Sequence, residues 1–468
     1  MHSLFSKRSA VLTGRLGSVL VFSVTVLALC LLDCHPAQGL PAFARKYGMP
    51  CSACHEAWPM LSPFGQQFKD NGYQMGNDRD APIFQSPAYW PVTFRITPIW
   101  HRESNDKTLV DSATSATGTA EAKVMTHGFD LSGLDFHTGG TLANNISFYC
   151  LPSSDPTASF HFESVWARFD NLAGSSWFNL KLGKFELDNL LSEKRILTLT
   201  SISGVYTNYH FQPYVSPGVT EGYVGAIGDN QLGLEWMGHS KDDRTRVSAS
   251  LLSQNDGQPN LPTSRAYGGY LAASQAFQLG GLGLQRAGGF AYIGQASTYF
   301  QYTSGGAGIP GTGIGNQGFQ REGLIGMWYI KNFDITTMYF HGHDSAFLGT
   351  NTPSGGPLNP TGALPAGAHA PSWNGALFES HYMFNPQWLL LNRYEMVRMS
   401  QQALSTDAAN LGNTDTLTFG MRYYPFISSR AGMALHAEYA IERIRGISPV
   451  TNTDLTTSSL LFGWDFDF

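Results

Sequence analysis

The sequence predicts an all-β fold: an antiparallel transmembrane β-barrel of about 16 strands over residues 91–468, with a small α-helical segment, residues 40–90, ahead of it. Three observations carry that expectation: a composition short of charge and rich in aromatics, a final strand that alternates to the end of the chain, and connections that alternate in length. Charged residues make up 14% of the 468, aromatics 13%, and there are 51 glycines. An ordinary soluble domain carries about 25% charged residues. The net charge of −6 provides no basic field, which argues against a nucleic-acid partner. Past residue 32 no apolar run is long enough for a transmembrane helix, so a chain that crosses a bilayer must cross with strands.

The strands are read from a period of two. Leu460, Phe462, Trp464, Phe466 and Phe468 share one face of the last strand, and Ser459, Gly463, Asp465 and Asp467 share the other. Val92, Phe94, Ile96, Pro98 and Trp100 alternate with Thr93, Arg95, Thr97 and His101. Leu417, Phe419, Met421 and Tyr423 alternate with Thr416, Thr418 and Arg422, and Met433, Leu435, Ala437, Tyr439 and Ile441 with His436, Glu438 and Glu442. With the apolar faces toward lipid, these ionisable groups line the lumen as solvated or mutually paired wall residues. Segments 159–169 and 387–398 alternate less cleanly and are expected to carry bulges.

Connections supply an independent check. Backward from the C-terminus, 443–457 is long, 425–430 short, 399–413 long, Asn385 and Pro386 short, 343–372 long, Lys331 and Asn332 short, and 302–320 long. Outer-membrane barrels have short periplasmic turns and long outer loops. Upstream of about residue 244 the rhythm is no longer legible. At roughly 24 residues per strand plus connection, residues 91–468 make about 16 strands, a size at which an aqueous interior is expected.

Ahead of the barrel, Cys51, Ser52, Ala53, Cys54 and His55 form Cys-x-x-Cys-His, the pattern through which haem c is covalently attached. Each thiol adds to a vinyl group as a thioether, and the His55 imidazole follows where it can ligate the iron. Five cysteines and 14 histidines in 468 residues give about 0.002 matches by chance. The competing readings are a redox disulfide and half a zinc site, and no second cysteine pair remains in the mature chain to complete a zinc cage.

Haem attachment needs an exported chain, and the N-terminus carries an address. Lys7, Arg8 and Arg15 precede the apolar run from Val19 to Leu32, and Ala37, Gln38 and Gly39 offer a small-x-small cleavage site. Residues 1–39 are therefore expected to be a signal peptide, with the mature chain starting at Leu40. Asp33 stands before Cys34 where a lipoprotein anchor wants a small residue. Cys150 is left as the odd thiol.

The segment 40–90 is too short for an ordinary core, so the macrocycle must serve as much of it. Ser62 and Pro63 read as the N-cap and first position of a helix that ends at Asn71 and Gly72. Trp58, Leu61, Phe64 or Gly65, and Phe68 present one apolar face to the porphyrin. For the second axial ligand the candidate is Met75, beyond the helix-ending glycine; Met60, Met49, His101 and an open position are the alternatives.

The run Ala42, Phe43, Ala44, Arg45, Lys46, Tyr47, Gly48, Met49, then the haem motif, then Pro59, Leu61, Phe64, Gly65, Phe68, Lys69, Gly72 and Tyr73 resembles the fused monohaem cytochrome–porin family. Members include outer-membrane cytochromes that oxidise ferrous iron. The resemblance implies a single-haem domain joined to a porin-like barrel, passing single electrons between extracellular donors or acceptors and a periplasmic cytochrome or other carrier. Lys46 and Tyr47 differ from the Gln-Thr pair of the iron-oxidising branch. No hydrolase-type catalytic residues stand out. A solute porin with an accessory haem segment, and a haem enzyme with an open iron position, are the rival functions.

Overall fold

The computed structural model describes residues 41–49, 51–57, 60–73, 75, 92–154, 160–187, 230–253, 267–297, 302–304, 307–309, 316–345, 370, 372–399, 413–427, 431–445 and 454–467. The expected leader, Trp58 and Phe468 lie outside them. Sixteen strands close into an antiparallel barrel. In chain order they are β1 Val92–Asp111, β2 Thr119–Ala143, β3 Ile146–Ser154, β4 Phe160–Phe169, β5 Asn179–Glu186, β6 Asn230–His239, β7 Thr245–Ser253 and β8 Tyr267–Gln278. The second half is β9 Leu284–Ser297, β10 Asn316–Ile330, β11 Phe333–Asp344, β12 Ser372–Asn385, β13 Trp388–Met399, β14 Asn413–Ile427, β15 Gly432–Arg445 and β16 Leu455–Asp467. Each strand pairs with its sequence neighbour, and β16 closes on β1 with Phe462 opposite Trp100 and Asp467 opposite Arg95.

One end of the barrel carries the connections 144–145, 170–178, 240–244, 279–283, 331–332, 386–387 and 428–431; the other carries 112–118, 155–159, 187–229, 254–266, 298–315, 345–371, 400–412 and 446–454. The alternation of length expected for the C-terminal half holds there and breaks upstream at one pair of connections. In that pair 155–159, at the long-loop end, is shorter than 170–178 at the other. The bulge expected within 159–169 is present: Leu151 opposes Ser164 and Pro152 opposes Phe162, leaving Glu163 without a register partner. Within 388–397 pairing with β14 is regular, and the irregularity sits across the hairpin at Phe384.

The two faces separate as the alternation predicts. Phe419, Met421, Leu435, Tyr439, Phe462 and Trp464 are exposed on the outside, forming the apolar belt that a strand face meeting hydrocarbon requires. Thr416, Thr418, Arg422, His436, Glu438 and Asp465 are buried on the inside. There Asp465 accepts from the Thr97 hydroxyl at 2.7 Å and lies 2.8 Å from His436 Nε2. Arg95 pairs with Asp135, and Glu379 binds both Arg393 and His381. These ionisable wall residues are mutually paired.

The interior differs from the expected aqueous one along β8–β13. Tyr270, Phe290, Tyr292, Phe319, Phe340, Trp373, Leu377 and Val397 point inward, are buried, and form one cluster with Phe68 and Tyr73 of the N-terminal segment. Large rings fit because small residues lie beneath them: a Cβ on Gly342 would overlap the Trp373 indole. Strand number sets the diameter of a barrel, but the inward side chains decide how much of it stays wet.

Among the described residues the N-terminal segment contains three helices, α1 Pro41–Tyr47, α2 Cys51–Cys54 and α3 Pro63–Asp70, with a small antiparallel ribbon pairing His55–Ala57 with Met60–Leu61. Ser62 caps α3 by accepting from Gly65 N at 3.1 Å, Pro63 opens it, and Asn71 and left-handed Gly72 end it, as the sequence predicts. Among the described residues no helix is long and apolar enough to cross a membrane.

Candidate functional site

The three helices enclose an apolar cavity of about 490 Å³, part of it open at the mouth. Cys54 and His55 form part of its wall, with Phe43 and Tyr47 from α1, and Leu61, Gly65 and Phe68 from the ribbon and α3; among the described residues no Asp, Glu, Lys or Arg lines it. Cys51 begins α2, and its side chain lies outside the described residues.

Local sequence dictates this assembly. Phe43 and Tyr47 are four apart, on one face of α1. Their rings meet Phe68 edge-on at 5.3 and 5.6 Å, and Phe43 stacks on Tyr73 at 4.8 Å. Such pairs are worth about 0.5–1.5 kcal/mol each beyond their buried area. The motif helix and α3 touch backbone to backbone. Ser62 N donates to the Cys54 carbonyl at 2.8 Å, the Ser62 hydroxyl to the Ala53 carbonyl at 3.0 Å, and a Cβ at position 65 would overlap that same Cys54 carbonyl. Of the pair Phe64 and Gly65, it is therefore Gly65 that faces the cavity, while Phe64 is exposed. Burial pushes the Cys54 thiol up to about 11.

The residues fit a covalently attached haem: a thiol and an imidazole in the motif spacing border an uncharged, aromatic-walled cavity. Met49 is in the cavity wall. Met75 packs against the buried apolar cluster of the interior and is not among the lining residues. His101 lies on β1 beside Glu103, 3.4 Å away, and the Met60 side chain lies outside the described residues.

The segment is seated inside the barrel, which about 16 strands leave wide enough in principle to admit it. Arg168, inward on β4, donates through Nη2 to the carbonyls of Lys69 and Asp70 at 3.0 and 2.9 Å, satisfying the end of α3, and through Nε to Asp170 at 2.6 Å. Arg246 on β7 pairs with Asp70 at 3.0 Å, and Lys69 with Glu186 at 3.1 Å. Burial raises the Asp70 carboxyl, but Arg246, Arg168 and Lys69 outweigh it and hold the group below the usual carboxylate range. Tyr73 stacks on Trp166 at 6.0 Å and Tyr149 at 6.1 Å, both on the inner wall. The docking arginines give no sequence signal beyond alternation, since any inward position of a strand can carry charge.

No family model matches the chain, and no curated protein matches it. Solved structures similar to it include outer-membrane porins and channels. An anion-selective porin from Comamonas acidovorans aligns with a TM-score of 0.48 at 11% identity, covering 81% of this chain and 99% of that one. A loop-deletion form of the outer-membrane protein OmpT from Vibrio cholerae aligns at 0.44 and 12%, covering 81% and 99%. The outer-membrane channel DcaP of Acinetobacter baumannii aligns at 0.44 and 8%, covering 82% and 99%.

Proposed function

We propose that this chain is an outer-membrane barrel whose N-terminal segment holds one haem c within the lumen and passes single electrons between an extracellular donor or acceptor, ferrous iron among the candidates, and a periplasmic carrier. The observation that carries the reading is the aromatic-walled cavity bordered by Cys54 and His55, seated against the inner wall through Arg168 and Arg246. When bound, haem supplies a reversible one-electron Fe(III)/Fe(II) couple. Cys51 and Cys54 would tether it and His55 would ligate its iron. Phe43, Tyr47, Phe68 and Tyr73 keep water from the site, and the ion pairs to β4 and β7 hold the segment at a set position in the barrel. The apolar outer belt supports placement in a lipid bilayer.

A solute porin with a haem accessory is the second reading, favoured by the strand number itself, since porins are built from about 16–18 strands. Two measurements on the purified holoprotein separate them. The carrier reading expects a mature chain heavier by one haem and rapid reduction by a one-electron donor, with ferrous iron testing that substrate directly. Solute flux unchanged by Cys51→Ala and Cys54→Ala, together with no reduction by any donor, would instead establish the porin reading.

A further inference from the structure

We infer that Met49 is the second axial ligand of the iron that His55 ligates, an inference resting on the haem-bearing reading above. Among the described residues the cavity wall offers one imidazole, that of His55, and one methionine thioether, that of Met49. Imidazole and thioether are a pair that six-coordinate cytochromes use.

The backbone brings Met49 there by construction. Helix α1 stops at Tyr47, Gly48 turns left-handed at φ +62°, and Met49 N donates to the Ala44 carbonyl at 3.3 Å. That six-to-one bond is a Schellman turn, which folds the residue after the glycine back onto the helix. Met49 therefore reaches the same cavity as Phe43 and Ala44, from the α1 side, while His55 enters from the end of the motif helix. A non-glycine residue at position 48 would strain this turn.

Competing donors are differently engaged. The Tyr47 hydroxyl donates to the Tyr73 carbonyl at 3.1 Å. Met75 packs against the buried apolar cluster and is not among the residues that line the cavity. The plainer account of Met49 is that it is only the apolar residue that habitually follows a Schellman glycine, and the two accounts differ in what the iron senses.

The test uses full-length, haem-loaded protein, with mass spectrometry first establishing one covalent haem per chain in every variant, so that failure of attachment is seen separately. Optical and magnetic circular dichroism spectra of the ferric state are recorded for wild type, Met49→Leu, Met75→Leu and Met49→His, with midpoint potentials. The expected result is a sulfur-to-iron charge-transfer band in wild type and Met75→Leu, lost in Met49→Leu together with a fall in midpoint potential. Met49→His should restore a low-spin, six-coordinate spectrum of two imidazoles. A band that survives in Met49→Leu, one that disappears in Met75→Leu instead, or its absence from wild type overturns the assignment.

Discussion

At the scale of single residues, two atoms set the terms of the cavity. Gly65 lets α3 lie directly on the Cys54 carbonyl, and because the obstacle to a side chain is backbone, no rotamer change relieves it. Gly65→Ala is expected to cost about 1–3 kcal/mol through overpacking and to lower haem incorporation, measured as bound haem per chain. Phe64→Ala, one residue away but exposed, should change stability by only about 0.5 kcal/mol or less. The Cys54 thiol, pushed up to about 11 by burial, stays protonated at neutral pH. In haem-free folded protein its alkylation at pH 8 should run a few hundred-fold slower than that of an ordinary cysteine with pKa about 8.5, and denaturant should abolish the difference. The haem motif and the glycine are both legible in sequence; that Gly65 rather than Phe64 meets the cavity is set by where Ser62 caps the helix.

At the scale of elements, α3 is held by its C-terminal end. Arg168 binds two of its last carbonyls and Arg246 its terminal carboxylate, all of them buried. Arg168→Ala leaves Asp170 and Asp70 short of a buried partner, which costs about 3–5 kcal/mol for a pair broken on one side. Hydrogen exchange of the 64–70 amides should accelerate while that of the β13–β15 strands does not. The pH dependence follows from Asp70, whose folded pKa lies below the unfolded value of about 3.9. Its contribution is fully present above that unfolded value and is lost as pH falls through the lower folded one. Exchange protection of α3 should therefore be level from neutrality down to about pH 5 and decline below about pH 4. Helix boundaries were readable because Ser62, Pro63 and Gly72 punctuate them. The dock was not, because Arg168 and Arg246 are distant in sequence and meet α3 only across the closed barrel.

At the scale of the whole molecule, the outer belt and the filled interior make opposite demands on neighbouring residues. Phe419 is exposed at the middle of β14, and Thr418 beside it is buried inside. Phe419→Arg is expected to destabilise the folded barrel by about 2–4 kcal/mol in bilayers, measured by denaturant-dependent folding into vesicles. The buried aromatic wall from Tyr270 to Val397 predicts a single-channel conductance well below that of an open barrel with the same strand number, checked in planar bilayers with the haem-loaded protein. A full porin-like conductance would mean that the interior is wetter than the burial of these side chains allows.

Periodicity and spacing in the chain determined the strand faces, the approximate strand number, the short-and-long rhythm of the C-terminal connections and the haem motif. Each is a local or nearest-neighbour property: alternation follows from the pleat, and thioether attachment from residues a few positions apart. Only the tertiary structure decided that the helical segment sits inside the barrel, that Met49 rather than Met75 reaches the cavity, and that the inner wall along β8–β13 carries a buried apolar cluster. Those outcomes depend on which inward side chains meet across a closed cylinder. Closure brings residues such as Asp70 and Arg246, or Phe68 and Trp166, into one interior, and no period along the chain encodes that meeting.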